Sequence, residues 1–500
     1  MKVITTDQMK KYDKKTIEEL GISSLVLMER ASFGVFDWIK KNLSSNLKNK
    51  EILIISGIGN NGGDALVLAR MLFLKNFNIK VVFIGDLEKR SLENKIQYEI
   101  LEKLGIKIFS FEEIKDFYNT YLIIDGLFGV GLTRDLNEKY IKIIKKLNNI
   151  ECIKIALDIP TGINGDNGKI MGEAFRADYT FTFAFYKLGL FSDIALYYVG
   201  KVILVDIGIP QFFANEVNTS YLLKEKIITL IKKRNFNSYK NQFGRVLLIG
   251  GSENMSGALI LATKSALRSG VGLVNLLVEK SIHTIVAPQV PSAMTNYYES
   301  LEDFKEKFIK LGKLDSVVFG TGCGINSEKK AILEFLIENY QGNLIIDADG
   351  LNILSENLDK LSNRIYPTII TPHLGEFARL TKKTSKEINE NKLEILEDFM
   401  KNKNNFIIVL KGAKSIITNG QEYYINSTGN PIFARGGSGD ILSGLIGGLA
   451  GYKNILDSAL IGTFIHGLAA DLALADFSEI SILPEELSVY ISKAFKSLES

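Results

Sequence analysis

The sequence predicts an α/β protein built from two successive, mostly parallel sheets, and three observations carry that prediction. Short β-rich runs alternate with longer helical patterns through both halves of the 500 residues. Several of these runs are apolar on both faces, as Ile52-Leu53-Ile54-Ile55 is, which a strand buried between two helical layers requires. The alternation is interrupted once, by a stretch at 210–241 dominated by Gln, Asn, Ser and Lys, which divides the chain into 1–218 and 219–500.

In the first half, strands are expected at 52–56, 80–84, 121–125, 153–158, 178–184 and 201–206, with a helix at 65–74. The second half repeats the pattern at 244–251, 273–278, 314–319, 343–347, 366–371 and 406–411. Residues 415–426 predict a hairpin instead, since Asn419-Gly420 suits a tight turn at positive φ. Helical patterns fill the chain from 441 onward, and no repeat of fixed period is visible. Ligands are expected at the carboxyl ends of the strands.

With 46% hydrophobic and 23% charged residues, the chain has the composition of a well-buried globular protein and not of a disordered one. Its 60 Lys and Arg exceed its 57 Asp and Glu by only +3, too little for a nucleic-acid binder on charge alone. Cys152 and Cys323 are too few and too far apart for a disulfide framework, so a reducing cytoplasm is the expected compartment. The N-terminal run lacks the apolar core of a signal peptide. The most apolar stretches, 441–450 and 460–475, are broken by Gly, His466 or Asp471 before reaching the ~20 residues of a membrane span, and read as buried helices.

The run Gly57-Ile58-Gly59-Asn60-Asn61-Gly62-Gly63-Asp64 joins a buried strand to a helical pattern. Backbone N–H groups at a Gly-rich turn and a helix N-terminus suit a phosphate, and the paired amides add donors and acceptors. A tight loop without a ligand accounts for the same residues. Two further strand ends, Asp125-Gly126-Leu127-Phe128-Gly129-Val130-Gly131-Leu132-Thr133-Arg134-Asp135 and Asp158-Ile159-Pro160-Thr161-Gly162, lead to the same sheet edge. An aspartate closing a strand is commonly a turn-former. Here Asn61, Asp125 and Thr161 together offer oxygens to a hard cation, and Arg134 offers a phosphate partner.

These three motifs, in this order, resemble the NAD(P)HX epimerase family over roughly residues 1–215. The resemblance implies a Rossmann-like domain that binds the hydrated nicotinamide dinucleotide. Its contacts would be Asn60, Asn61, Gly62, Gly63 and Asp64, the loop residues Gly129, Val130, Gly131, Leu132, Thr133, Arg134 and Asp135, and Asp158. It also implies potassium at Asn61, Asp125 and Thr161, with Thr161 where the family usually has Ser and Ala65 where Gly is usual.

In the second half, Ala434-Arg435-Gly436-Gly437-Ser438-Gly439-Asp440 runs into an apolar helix. The loop reads as an anion cradle with Asp440 placed to take a hydroxyl proton, or as a helix capped by Asp440. Taken with Gly250-Gly251-Ser252, Gly320-Thr321-Gly322-Cys323-Gly324, Asp347-Ala348-Asp349, Thr371-Pro372-His373-Leu374-Gly375-Glu376 and Lys411-Gly412-Ala413-Lys414-Ser415, it is similar to the NAD(P)HX dehydratase family over roughly 220–500. That resemblance implies a ribokinase-like domain in which Ala258, Gly322, His373 and Asp440 contact the hydrated dinucleotide. Lys411, Gly412, Ala413, Lys414, Ser415 and Gly439 would hold the adenine nucleotide. Tyr239 stands where the family commonly has His, and Ile432-Phe433 replaces a smaller run; His283 and His466 read as structural.

Together the resemblances imply a bifunctional repair enzyme for hydrated NADH and NADPH. Asp158 is the candidate for proton transfer in epimerisation and Asp440 the base for an ADP-dependent dehydration, with K⁺ in the first domain, Mg²⁺ on the ADP phosphates, and a homo-oligomeric assembly. Two other readings fit parts of the pattern: a ribokinase-like small-molecule kinase, and a first half that only binds or dimerises.

Overall fold

The computed structural model describes residues 1–499 apart from 48, 49, 115, 116, 118, 357, 363 and 404. The chain divides into two compact units, Met1–Asn218 and Thr219–Ser500.

Among the described residues, the main sheet of the first unit has seven strands, all paired parallel. Their spatial order is Ile108–Ser110, Asn78–Phe83, Glu51–Ser56, Thr120–Gly126, Ile153–Leu157, Tyr179–Phe183, Lys201–Val205. The doubly apolar run predicted from sequence is a central strand: Ile52 and Ile54 join one buried cluster, Leu53 and Ile55 the other. Helices Ser24–Asn42 and Asn60–Phe73 cover the first face and Glu138–Asn148 the second. The strand order reverses between Glu51–Ser56 and Thr120–Gly126, where a crevice opens at the carboxyl ends. The three-residue strand Ile108–Ser110 was not anticipated, being too short to carry a periodic signal.

The second unit carries a ten-stranded sheet among the described residues. From one edge it runs Thr219–Leu222, Tyr423–Asn426, Ile416–Thr418, Phe406–Leu410, Thr368–Ile370, Asn343–Ile346, Ser316–Phe319, Arg245–Ile249, Leu273–Glu279, Met294–Tyr298. Only the two pairs made by Ile416–Thr418 are antiparallel. The order reverses between Arg245–Ile249 and Ser316–Phe319, a second switch point. Both edge strands escape the sequence reading. Thr219–Leu222 lies inside the polar stretch at 210–241, and Met294–Tyr298 is exposed along much of its length. The hairpin is looser than Asn419-Gly420 suggests. Residues 419–422 form the turn, Asn419 Oδ1 accepts from the N–H of Gln421 (3.0 Å) and Glu422 (2.8 Å), and only Gly420 takes positive φ, +85°.

Helix Ser438–Ala450 packs on helix Ser256–Arg268 so closely that a Cβ on Gly444 would lie 2.0 Å from the Ala262 carbonyl oxygen. Helix Ile455–Ala473 is long and apolar enough to cross a membrane by length and composition, but it is largely buried in this unit's core. It is the buried helix that the sequence reading expects, with His466 and Asp471 inside it. His466 stacks on Phe433 with ring centroids 4.2 Å apart, and the Asp471 carboxylate accepts from Gly429 N–H (3.0 Å) and Asn430 Nδ2 (2.9 Å).

Candidate active sites

In the first unit, the helix begins at Asn60, earlier than the sequence pattern suggests, so Asn60 to Asp64 are its opening residues and not a loop. Gly62 and Gly63 are helical and act through close packing. A Cβ on Gly62 would meet the Gly57 carbonyl oxygen at 2.0 Å, and one on Gly63 would meet Met28 Cε at 2.5 Å. Asn94 Nδ2 donates to the carbonyls of Gly57 (2.9 Å) and Gly59 (3.1 Å), fixing the turn ahead of the helix.

A cavity of about 450 Å³ opens over this turn, bordered by Asn60, Asn61, Asp64, Gly129, Val130, Gly131 and Asp158. The three motifs meet there: a Cβ on Gly129 would lie 2.9 Å from Asp158 Oδ2 and 3.3 Å from Asn61 Cγ. Thr133, Arg134 and Asp135 lie on the exposed stretch of the loop beyond Gly131, while Leu132 packs half-buried on the core.

Asp125, at the end of a central strand, is fully buried. Its Oδ1 accepts from Thr161 Oγ1 (2.7 Å) and Leu127 N–H (3.1 Å), and its Oδ2 from Thr161 N–H (2.8 Å). Burial pushes this carboxyl up to about 6 against the pull of those bonds. Beside them, both polar atoms of the Asn61 amide are buried without a hydrogen-bond partner among the described residues.

Asp158 takes positive φ, +63°, a conformation that Asp tolerates better than most residues, and the turn aims its carboxylate into the cavity. Its Oδ2 accepts from Val130 N–H at 3.2 Å, and its Oδ1 is 2.6 Å from Lys187 Nζ. Lys187 is fully buried and also donates to Thr182 Oγ1 (3.1 Å) and to the Phe183 carbonyl (2.8 Å). Sequence reading missed Lys187; its only signal is a lone cation closing the apolar run Phe183-Ala184-Phe185-Tyr186.

In the second unit, helix Ser438–Ala450 starts behind Gly437, at φ +96°, with no side-chain cap. Asp440 therefore does not cap the helix; it sits in the first turn beside a charged group. Lys411 Nζ is 2.8 Å from Asp347 Oδ1 and 3.8 Å from Glu376 Oε2, and a Cβ on Gly439 would lie 3.3 Å from that ammonium. Burial and then Asp347 push Asp440 up to about 7, with Lys411 opposing. Asp347 and Glu376 were quoted from sequence only within their motifs; their pairing with Lys411 needs the fold.

Ala258 and Gly322 meet across the switch point, where a Cβ on Gly322 would be 2.8 Å from that of Ala258. His373 caps helix Leu374–Thr381: its Nδ1 accepts from Gly375 N–H (2.9 Å) and Glu376 N–H (3.3 Å), and its Nε2 lies 3.5 Å from Glu376 Oε1. Burial and Lys411 hold its imidazole below the ordinary range. Lys411 closes its strand. Gly412 and Ala413 are exposed, and Lys414 Nζ reaches the Ser427 carbonyl at 3.3 Å. Ser415 opens the hairpin, and Tyr239 lies exposed at the start of a short turn.

Two family models match the chain: YjeF-related protein N-terminus over residues 24–189, and NAD(P)H-hydrate dehydratase over 246–493. The bifunctional NAD(P)H-hydrate repair enzyme Nnr of Dictyoglomus turgidum is 32% identical over 497 residues, covering 94% of this chain and 93% of that protein. The chain belongs to this family. Its counterpart from Moorella thermoacetica is also 32% identical, over 100% of this chain and 97% of its own length. Among solved structures, a ribokinase-like superfamily protein from Enterococcus faecalis is 28% identical with a TM-score of 0.51, covering 56% of this chain and 96% of that one. The ADP/ATP-dependent NAD(P)H-hydrate dehydratase of Bacillus subtilis, co-crystallised with ATP and Mg²⁺, is 26% identical with a TM-score of 0.50, over 56% of this chain and 99% of that one. The second unit thus has the expected ribokinase-like fold.

Proposed function

We propose that this chain is an NAD(P)H-hydrate epimerase in its first unit, 1–218, and an ADP-dependent NAD(P)H-hydrate dehydratase in its second, 219–500. The observation that carries the proposal is the presence of two separate strand-switch sites on one chain, each with a carboxylate at least half-buried beside a lysine: Asp158 with Lys187, and Asp440 near Lys411.

Hydration of NADH or NADPH places a hydroxyl on a ring carbon beside nitrogen, in R and S forms. Phosphorylation turns that hydroxyl into a leaving group which the nitrogen lone pair expels. Asp440 takes the hydroxyl proton as the oxygen attacks the terminal phosphorus of ADP, releasing AMP. The backbone around Gly436 to Gly439 and the Lys411 ammonium balance the charge of the phosphoryl group in flight. The C–O bond then breaks, phosphate departs, and loss of a proton from the neighbouring carbon restores the dihydropyridine ring. A pocket that aligns one hydroxyl for this attack misaligns the other, so the epimerase supplies the S form. The bound dinucleotide would meet Asn60, Asn61, Asp64, the loop from Gly129 and Asp158 in the first unit, and Ala258, Gly322, His373 and Asp440 in the second; residues 411–415 and Gly439 would hold ADP.

Potassium fits Asn61, Asp125 and Thr161: all offer oxygen, and the Asn61 amide oxygen is buried without a partner among the described residues. When bound, it supplies a fixed positive charge beside the dinucleotide. Among the described residues no group of three His, Cys, Asp or Glu side chains is placed to hold a metal, so Mg²⁺ would ride on the ADP phosphates and water. Both cysteines are free, in keeping with a reducing cytoplasm, and a homo-oligomer follows from the family resemblance.

The test is absorbance recovery of reduced nicotinamide from mixed epimers of hydrated NADH, with ADP, ATP or no nucleotide. Complete conversion with ADP is expected. A stop with the R epimer left over leaves the first unit a binding module, and accumulation of a phosphorylated product with no recovery favours a kinase.

A further inference from the structure

Interconverting the two configurations by opening the ring needs two proton carriers, one for the hydroxyl and one for the ring nitrogen. The epimerase site described above supplies one, Asp158. Lys187 is not the second, because its ammonium is fully buried and donates to Asp158, Thr182 and the Phe183 carbonyl. Of the other titratable residues bordering the cavity, Lys10, Asp13 and Asp64, the lysine is turned toward Asp7 at 3.4 Å on the exposed side of its helix.

Asp13 approaches from the helix Thr6–Glu18, a separate wall from the strand end that carries Asp158. The helix is firmly held. Thr5 and Gln8 form its capping box, Asp166 accepts from Thr6 N–H (2.6 Å) and Thr6 Oγ1 (2.8 Å), and Tyr12 is buried against Phe185 and Phe213. None of the three motifs quoted for the first half contains Asp13.

We propose that Asp13 is the second proton carrier of the epimerase, exchanging a proton with the ring nitrogen while Asp158 exchanges one with the hydroxyl. The inference rests on the epimerase reading of this cavity. In the opening step, Asp158 removes the hydroxyl proton, the oxygen forms a carbonyl, the C–N bond breaks, and its electron pair takes a proton from the Asp13 carboxyl. Rotation turns the other carbonyl face toward the nitrogen. On closure the nitrogen attacks that face, its proton returns to Asp13, and the oxygen recovers a proton from Asp158. No co-reactant is consumed.

The surroundings suit a carboxyl that carries a proton. Lys10 is on its own helix, Glu93 faces it from helix Leu92–Lys103, Asp64 from helix Asn60–Phe73, and Asp158 and Lys187 from the far wall. Burial, Glu93 and Asp158 raise its affinity for the proton, and Lys187 opposes them.

The test uses the full-length protein without ADP, which silences dehydration, and follows interconversion of purified epimers of hydrated NADH by chromatography across pH. For Asp13→Asn, kcat is expected to fall about 100-fold with KM changed less than about threefold. The wild-type loss of kcat/KM toward high pH, where Asp13 has lost its proton, should vanish in Asp13→Asn and return in Asp13→Glu. Wild-type kcat in Asp13→Asn, or a high-pH limb that persists there and disappears in Asp64→Asn, overturns the assignment. A wild-type enzyme no faster than the spontaneous reaction sinks the epimerase reading itself, and Asp13 with it.

Discussion

Lys187 Nζ stands 2.6 Å from Asp158 Oδ1, and both side chains are withdrawn from solvent, the lysine completely. The carboxylate that faces the first cavity is thus held by a cation that is itself withdrawn from solvent. In the proposed epimerase the lysine positions the carboxylate, and the aspartate meets the dinucleotide.

Lys187→Met leaves that carboxylate buried without its counter-charge. The expected cost is about 3–5 kcal/mol of stability, with epimer interconversion at least ~100-fold slower. Thermal unfolding and chromatographic epimer assays measure the two effects separately, and near-wild-type values in both would contradict the paired role.

Asp440→Asn removes the proposed base of the dehydratase and little of its shape. ADP-dependent recovery of reduced nicotinamide should fall by about 10²–10⁴ in kcat, while ADP binding by calorimetry stays close to wild type. Epimerisation should continue, since its carboxylates belong to the other unit.

Dehydration should also depend on pH through this residue. Asp440 must be ionised to accept the hydroxyl proton, and its affinity for the proton is pushed up to about 7, so kcat/KM should fall as pH drops through that value. Lys411 opposes the upward shift and Asp347 reinforces it, so Lys411→Met should move the midpoint up and Asp347→Asn should move it down. Profiles at saturating ADP decide the sign of each.

Potassium should stabilise the first unit without any substrate present. Replacing LiCl by KCl at constant ionic strength is expected to raise its Tm through preferential binding to the folded state, and Asn61→Leu should abolish the difference. Equal Tm values in both salts for the wild type would remove the cation from this site.

Gly444→Val inserts a side chain where the Ala262 carbonyl would stand 2.0 Å from its Cβ. The helices must separate, and an overpacking cost of about 1–3 kcal/mol is expected. Calorimetry of the second unit's transition checks it.

Much of this was legible from the residues. Buried parallel strands announce themselves because both faces are apolar, so Ile52 to Ile55 and Phe406 to Leu410 could be placed without a structure. Three residues of strand carry too little pattern, and an edge strand only partly buried carries a weak apolar signal, which is why Ile108–Ser110 and Met294–Tyr298 were missed. The glycines of the first motif were visible, but the close packing that requires Gly62 and Gly63 inside the helix was not. Asp125, Asp158 and Asp440 stood out as carboxylates at Gly-flanked strand or helix ends. Lys187, Asp13 and the Lys411–Asp347 pair did not, because their partners come from distant segments and only the fold brings them near.

The strand Thr219–Leu222 has a practical meaning for anyone wishing to study the second half alone. It hydrogen-bonds in parallel with Tyr423–Asn426 and forms the outer margin of the ten-stranded sheet, ahead of the point at which the dehydratase family match begins, residue 246. A fragment cut at that residue would lose the margin and also Ile227, which is fully buried. The row of amides and carbonyls on Tyr423–Asn426 would then be open to pairing with another molecule, an invitation to self-association. An excised dehydratase should therefore begin at or before Thr219.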